Sequence, residues 1–391
     1  MIARAAIAVL ALASAGAAAQ VLDFSADEVR AVLRHGPWPP AFVPDPSNRV
    51  SGQSEAIELG ERLFFEPRLS REGRFSCASC HVPGLAFQDG RAQGLGRTEL
   101  DRNTPSLLNV RLNRWFGWDG AGDSLWAQSV RPITDRREMD SSASQVAALL
   151  REDPEYACRY RRLFGEPRDA PDQAMLVAAA KSLAAFQETL LSGRSAFDEF
   201  RDALARGDRL AAARYPIPAQ RGLRLFLGRG ACTACHLGAA FTNGEFHDIG
   251  IPFFLREGGV DPGRHGGIRQ LQASPLNLLA RQSDDRTGAA AIKTRHVALE
   301  HRNFGEFKVP GLRNVALTAP YMHNGRIATL AQVVRHYSEL DLDRLHADGE
   351  AILKPLRLSR EESADLVAFL ESLSERAGAS PRRRPIAPCR G

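Results

Sequence analysis

The chain has 391 residues, of which 44% are hydrophobic and 25% are charged, and its formal net charge is +5. This length predicts two domains. The five arginines of residues 376–391 stand without an acidic residue and account for the whole net charge, which excludes a basic, nucleic-acid-binding body. Prolines and the lack of apolar periodicity predict that residues 376–391 form a disordered tail. The alternative is that this basic segment binds a partner electrostatically.

Residues 1–19 have the pattern of a secretory signal peptide. Arg4 precedes an apolar core over residues 5–15, and three alanines at 17–19 offer a cleavage site before Gln20. The apolar core is shorter than the ~20 residues that cross a bilayer, so an uncleaved membrane anchor is the weaker interpretation. We therefore expect an exported, periplasmic protein with no membrane span after signal cleavage.

An internal repeat follows along the chain. The pentapeptide GERLF occupies residues 60–64 and the similar GLRLF occupies residues 222–226. Each looks like a helix that leads into the motif described next. A further helix is predicted by apolar periodicity within 171–192.

Two copies of the motif Cys-x-x-Cys-His dominate the chain. They consist of Cys77, Cys80 and His81, and of Cys232, Cys235 and His236. This spacing is the attachment signature of a c-type haem, in which both thiols bond to the porphyrin and the histidine becomes the proximal iron ligand. A zinc site or a disulfide is a remote alternative because a histidine follows directly in both copies. The chain therefore predicts two covalently bound haem c groups.

These patterns predict an all-α fold with two cytochrome c-like haem domains in tandem. The first domain is expected over 20–215 and the second over 216–375, because prolines at 216 and 218 indicate a linker. Residues 255–302 are rich in Gly, Arg and Asp and poor in apolar pattern, which predicts a long decorating loop. A capping box over 359–362 predicts a final helix.

Strong ligands for the distal side of the first iron are scarce. No histidine lies between His81 and His236, and the only methionines there are Met139 and Met175. The first haem is therefore expected to have an open position at which peroxide can bind. The alternative is that Met139, Met175 or a residue of the other domain closes this position.

The two remaining cysteines are Cys158 and Cys389. In an oxidising compartment they either pair or stay free. The sequence does not decide between these alternatives.

Beyond the haem motifs, the chain resembles bacterial di-haem cytochrome c peroxidases and MauG-type enzymes from about Leu59 to Leu373. After the first motif, the family's order is kept by Asn103-Thr104-Pro105, Trp118-Asp119-Gly120, Asp123-Ser124-Leu125, Gln128, Pro132 and Glu138-Met139. After the second motif, it is kept by FKVPGLRN at 307–314 and TAPYMHNG at 318–325. The resemblance covers both predicted domains.

The resemblance implies roles for several residues. Glu138 would be the acid–base residue and Gln128 its polar neighbour in the distal pocket of the first haem. Trp118 would relay electrons between the haems. A calcium site would be formed by oxygens of Asn103, Thr318 and Pro320. Without the resemblance, Glu138 would be taken as a surface carboxylate, and Trp118 as a core residue.

Two departures narrow the choice within the family. Standard members place a histidine in the loop after the first haem motif, but residues 89–102 contain none. They also place a methionine ligand on the second haem where this chain has Tyr337. A phenolate is a hard, anionic ligand that favours the higher oxidation states of iron, which is typical of MauG-type enzymes. His336 or Met322 as the ligand, or a Tyr337 that is merely packed, are the alternatives.

A third departure concerns the protein substrate. The enzyme that matures methylamine dehydrogenase has a tryptophan two residues before its second haem motif, where this chain has Gly230. All four tryptophans of this chain lie in its first half. The same protein substrate is therefore not implied.

The resemblance implies a periplasmic di-haem peroxidase of the MauG-like subgroup. Hydrogen peroxide would be reduced at the haem of His81, with electrons relayed through the haem of His236 and Tyr337 from an external donor, such as a small electron-donor protein. One alternative is a maturase that oxidises side chains of a partner protein. Another is an electron-transfer cytochrome without peroxide chemistry, which requires strong ligands on both sides of both irons.

Overall fold

The computed structural model describes residues 21–252, 254–255, 258–345, 352–375 and 387–389. The predicted signal peptide lies outside these residues. The described α-helices are α1 (Ala26–Leu33), α2 (Ser54–Phe64), α3 (Cys77–Cys80), α4 (Leu125–Thr134), α5 (Ala143–Glu152), α6 (Pro154–Phe164), α7 (Asp172–Gln187), α8 (Ala196–Ala205), α9 (Arg209–Ala212), α10 (Ile217–Leu227), α11 (Arg264–Ala273), α12 (Ala289–Arg295), α13 (Leu330–Ser338) and α14 (Arg360–Glu371).

Strands are nearly absent from the described residues. β1 (Phe246–His247) and β2 (Phe307–Lys308) form one short antiparallel pair, in which Phe246 lies opposite Lys308. The prediction of an all-α fold is confirmed. Among the described residues, no helix is both long and apolar enough to cross a membrane.

The first hydrophobic core is built around α7, which is buried on all sides. α2, α4 and α5 pack against α7. On α2, Gly60 touches the α7 backbone so closely that an added Cβ would lie 1.9 Å from the Ser182 carbonyl oxygen. The glycine of the first pentapeptide is therefore what lets these two helices cross.

The second hydrophobic core repeats this arrangement with α10 and α14. A Cβ added at Gly222 of α10 would lie 1.9 Å from the Asp365 carbonyl oxygen of α14. The capping box predicted for α14 is present, with Ser359 and Glu362 each bonding the other's backbone N–H. The internal repeat thus corresponds to the same helix crossing in each half of the chain.

The second core also includes residues that were expected in the first domain. Phe197 and Phe200 of α8 and Tyr215 pack with α10 and α14, as does Val32 of α1. The second core therefore draws on α1, α8 and Tyr215, and the domain boundary near residue 215 stays a prediction. The prolines at 216 and 218 mark the start of α10 because proline is tolerated in the first turn of a helix.

The prediction of a loop over 255–302 is wrong for two stretches, which form α11 and α12. α11 has few apolar residues and those of α12 are consecutive, so neither sequence shows a clear helical period, but Leu271 and Ala291 are buried. The segment folds back onto the first half of the chain. Asp123, just before α4, accepts hydrogen bonds from the backbone N–H of Leu278 and the hydroxyl of Thr294.

A disulfide joins Cys158 of α6 to Cys389 near the end of the chain. The backbone N–H of Cys389 also donates to the Glu155 carboxylate, and Arg159 donates to the Ala387 carbonyl. The cysteines therefore pair, and the expectation of a disordered tail does not hold for residues 387–389. Residues 376–386 and 390–391 lie outside the described residues.

Candidate haem sites and the contact between them

The first haem motif forms α3 and the turn after it. The Nδ1 atom of His81 lies 3.0 Å from the Phe87 carbonyl oxygen. Ala86 and Phe87 both have left-handed backbone conformations, with φ values of 55° and 57°, and this unusual pair turns the carbonyl toward the histidine. Burial lowers the pKa of His81, so its ring is neutral. A histidine held in this way presents Nε2 to a metal.

The second haem motif has the same arrangement. The Nδ1 atom of His236 lies 3.0 Å from the Phe241 carbonyl oxygen, and Phe241 is again left-handed, with φ of 55°. Burial lowers the pKa of His236 to about 4. Sequence reasoning missed both phenylalanines. The signal was present, since Gly-x-Ala-Phe follows each haem motif, at 84–87 and at 238–241.

Both motifs fit a covalently attached haem. The four cysteines form no disulfide and are half-buried; they are Cys77, Cys80, Cys232 and Cys235. Each pair stands beside a neutral histidine whose orientation is set by a carbonyl. Two thiols and one imidazole nitrogen per site are the groups that a haem c requires.

Lys308 offers a further contact for the cofactor. Burial lowers the pKa of Lys308 to about 8, and its ammonium group makes no ion pair with the described residues. A buried cation of this kind needs a nearby negative charge, which a haem propionate would supply. Sequence reasoning did not single out this residue.

Glu138 follows α4 and lies beside the first haem loop. Burial, and then the nearby Asp135 carboxylate, raise the pKa of Glu138 to about 7, and Arg131 and Arg137 oppose this shift. Burial, and then Glu138, raise the pKa of Cys80 to about 11, which indicates that the two side chains are close. Glu138 is therefore a half-buried carboxyl at the first haem site.

The backbone of Glu138 is held by a neighbouring loop. Its carbonyl oxygen accepts a hydrogen bond of 3.2 Å from the Arg97 backbone N–H. A Cβ added at Gly96 would lie 2.7 Å from the Cα atom of Glu138, so the loop can approach this closely only with glycine there. These contacts fix the position of the carboxyl relative to the haem loop.

Gln128 lies on α4, within the same half of the chain. Its Oε1 atom is buried and has no hydrogen-bond partner among the described residues. A buried acceptor left unpaired costs about 1–3 kcal/mol, so this atom indicates a place where a donor binds. Met139 and Met175 are both buried in the first hydrophobic core.

Trp118 lies where the two halves of the chain meet. Its indole Nε1 donates a 2.8 Å hydrogen bond to the Asn103 carbonyl, and its own carbonyl accepts a 2.8 Å bond from the Lys308 N–H of β2. Nearby, Arg102 forms ion pairs of 2.7 Å with both Asp119 and Asp261. The structure thus brings the signature segments that follow the two haem motifs into contact.

Asn103, expected to bind calcium, joins the same contact. Its backbone N–H donates a 2.7 Å hydrogen bond to the His323 carbonyl, in the segment that begins at Thr318. Its side-chain Nδ2 donates to the Arg91 carbonyl, which leaves Oδ1 as the atom of this amide that can bind a cation. Pro320 follows a cis peptide bond in this segment.

Tyr337 lies in the last turn of α13. A capping box of Thr329 and Gln332 begins this helix. Burial, and then the thiols of Cys232 and Cys235, raise the pKa of Tyr337, which indicates that its phenol faces the second haem loop.

The alternatives to Tyr337 are placed differently. His336 has its Nε2 atom 2.8 Å from the Ile249 carbonyl oxygen, so this nitrogen already has a partner. Met322 has a left-handed backbone, with φ of 72°. At Gly230, an added Cβ would lie 2.7 Å from the Leu225 carbonyl oxygen, so this backbone has no room for the tryptophan that other enzymes carry there.

Comparison with known proteins places the chain in a family. Residues 54–206 match the model of the di-haem cytochrome c peroxidase family. The methylamine utilization protein MauG of Methylorubrum extorquens is 38% identical over 361 residues, covering 92% of this chain and 88% of the relative. Cytochrome c551 peroxidase of Nitrosomonas europaea is 29% identical, covering 82% of this chain and 80% of the relative.

Solved structures agree with these relatives. A MauG-like protein associated with microbial copper homeostasis is 28% identical, with a TM-score of 0.63, covering 88% of this chain and 96% of that one. The diheme peroxidase BthA from Burkholderia thailandensis shares the fold, with a TM-score of 0.65 at 23% identity over 88% of this chain and 92% of that one. The predictions of an oxidoreductase and of two haem cofactors are confirmed. The chain belongs to the di-haem cytochrome c peroxidase family.

Proposed function

We propose that this protein is a MauG-like di-haem peroxidase that reduces hydrogen peroxide at the haem of His81. The observation that carries the proposal is Glu138, a half-buried carboxyl beside the first haem loop with a pKa of about 7. A carboxyl with this pKa exchanges protons readily at neutral pH, as an acid–base catalyst must. When bound, the haem would supply an iron that takes up peroxide and accepts electrons.

Glu138 and Gln128 have complementary roles in this proposal. The ionised Glu138 would accept a proton from one oxygen of hydrogen peroxide and return it to the other, so that the second oxygen can leave as water. The unpaired Oε1 of Gln128 accepts a hydrogen bond from the peroxide and orients it. Both groups lie in the half of the chain that carries His81.

The second haem site would supply electrons to the first. His236 and Tyr337 would be the two ligands of that iron, which is supported by the proximity of the Tyr337 phenol to Cys232 and Cys235. Trp118 lies between the two halves of the chain and would couple the two sites. The electrons would come from an external donor, such as a small redox protein.

Two further features belong to the proposal. A calcium ion would bind oxygens of Asn103, Thr318 and Pro320 and would hold the two halves together, since hard oxygen donors suit this ion. The signal-peptide pattern of residues 1–19 supports a periplasmic location.

The alternatives have less support. A maturase that oxidises a partner protein is suggested by the methylamine utilization relative, but the backbone at Gly230 has no room for the tryptophan of that enzyme type. A pure electron-transfer cytochrome needs a strong sixth ligand on the first iron. Met139 and Met175, the nearest candidates in sequence, pack in the hydrophobic core.

Electron paramagnetic resonance of the resting ferric protein tests the proposal. We expect one high-spin and one low-spin haem without prior reduction, because no histidine lies between His81 and His236, and Met139 and Met175 are buried in the first hydrophobic core. We also expect turnover of hydrogen peroxide with a reduced small cytochrome as donor. Two low-spin haems and no turnover of hydrogen peroxide would instead indicate an electron-transfer cytochrome.

A further inference from the structure

The four tryptophans of this chain differ in the charges that lie over their rings. Arg313 lies 3.6 Å from the ring centre of Trp38, and Lys181 lies 5.5 Å from that of Trp126. Over Trp115 there are two cations, Arg264 at 4.3 Å and Lys293 at 4.9 Å. Among the described residues, no cationic side chain lies over Trp118.

The cations over Trp115 differ from those over Trp38 and Trp126 because no carboxylate forms an ion pair with them among the described residues. Arg313 and Lys181 are paired with Asp198 and Asp284. Arg264 instead donates to the carbonyls of Asp119 and Gly120, and Lys293 to that of Arg114, and within the described part of the chain neither forms an ion pair. The positive potential at the Trp115 ring is therefore the least neutralised of the three.

Positive charge over an indole opposes its oxidation. Removing one electron from the ring leaves a radical cation, which Arg264 and Lys293 would repel across a short, water-poor gap. Trp115 is only 5% exposed, so water screens this repulsion poorly. Trp118, by contrast, donates its Nε1–H to the Asn103 carbonyl at 2.8 Å, a contact that strengthens when the ring becomes positive.

We propose that Arg264 and Lys293 keep Trp115 from losing an electron, so that oxidation between the two halves of the chain passes through Trp118. The two tryptophans are three residues apart in one loop, and the cations decide between them. Both cations come from the segment that carries α11 and α12, which folds back onto the first half of the chain. The inference rests on the proposed function, since it takes Trp118 as the relay.

The test compares Lys293→Met with Lys293→Arg in the full-length di-haem protein. Methionine keeps an apolar stem of similar length and removes the charge, whereas arginine keeps the charge. Each protein is treated with hydrogen peroxide without an electron donor. Oxygenated tryptophan, which forms after the radical cation loses its N–H proton and reacts with oxygen, is then quantified at each position by peptide mass spectrometry.

Loss of one unit charge at 4.9 Å is expected to raise oxygenated Trp115 about tenfold or more in Lys293→Met. Lys293→Arg should match the wild type, and the yields at Trp38 and Trp126 should not change in either variant. The burial of Trp115 is the same in all three proteins, so exposure does not explain the difference. Equal yields in Lys293→Met and Lys293→Arg overturn the proposal.

A second arm does not depend on peroxide chemistry. Light and persulfate generate ruthenium(III) tris-bipyridine, which takes one electron from an indole and returns to ruthenium(II). We again expect a higher yield of oxygenated Trp115 in Lys293→Met than in Lys293→Arg. If Lys293→Met shows more oxygenated Trp115 here while peroxide leaves the haem spectrum unchanged, the proposed function fails, and only the protection of Trp115 by the two cations stands.

A further measurement uses only the wild-type protein and therefore does not depend on whether a variant folds. In both arms its Trp118 should be oxygenated well before Trp115. Equal yields at the two positions in the wild type would also overturn the proposal.

Discussion

The acid–base role of Glu138 predicts how the reaction with peroxide depends on pH. The carboxylate form must take the proton from peroxide, and the pKa of Glu138 is about 7 because the side chain is buried. The ionised fraction therefore falls as the pH drops below 7. At pH 5, two units below the pKa, about one carboxyl in a hundred is ionised, so the reaction should be roughly 100-fold slower than at high pH.

Glu138→Gln removes the proton acceptor and keeps the size of the side chain. We expect this variant to react about 10²-fold more slowly at pH 8 and to lose the dependence on pH, since lost acid–base assistance typically costs this much. Glu166→Gln is a suitable control because Glu166 is an exposed carboxylate paired with Arg161 on the surface.

Stopped-flow absorbance measures both effects, from the change in the haem spectrum after the ferric protein is mixed with peroxide. Haem content is checked in parallel, so that a slow variant is not simply one that lacks cofactor. If Glu138→Gln keeps the wild-type rate and the wild-type pH profile, Glu138 has no part in the proton transfer.

Three further outcomes are expected. Tyr337→Met should raise the reduction potential of the second haem in spectroelectrochemical titration, because a soft neutral ligand replaces a hard anion; an unchanged potential would make Tyr337 a packing residue. Gly222→Ala should lower the free energy of unfolding by about 2–3 kcal/mol in urea titrations, since its Cβ would overlap the Asp365 carbonyl, and wild-type stability would contradict this packing. Cys389→Ser should cost about 2–4 kcal/mol in the same assay, and Cys158→Ser the same amount, because each breaks one disulfide; two different losses would argue against the pairing.

Several features could be predicted from sequence because they depend on short stretches of chain. Cys77, Cys80 and His81 bind one cofactor through adjacent side chains, so their spacing alone identifies a haem c. The capping box of Thr329 and Gln332 likewise forms within one helical turn. The resemblance added Glu138 and Gln128, which composition and periodicity would not have distinguished from surface residues.

Other features depend on contacts between residues that are far apart in the chain. The sequence left open whether Cys158 and Cys389 pair, and 231 residues separate them. No local pattern shows that Phe197 and Phe200 belong to the second core, because a buried face looks the same whichever core it joins. The prolines at 216 and 218, from which a linker was expected, lie at the start of α10.

The sequence by itself determined the cofactor chemistry, the helical class and the repeated helix before each haem motif, since each follows from residues within a few turns of one another. Only the tertiary structure decided which charges act on which groups. Burial moves the pKa of Glu138 to about 7, and Arg264 and Lys293 reach Trp115 from more than a hundred residues away. Electrostatic effects depend on distance and on exclusion of water, and both are properties of the folded chain.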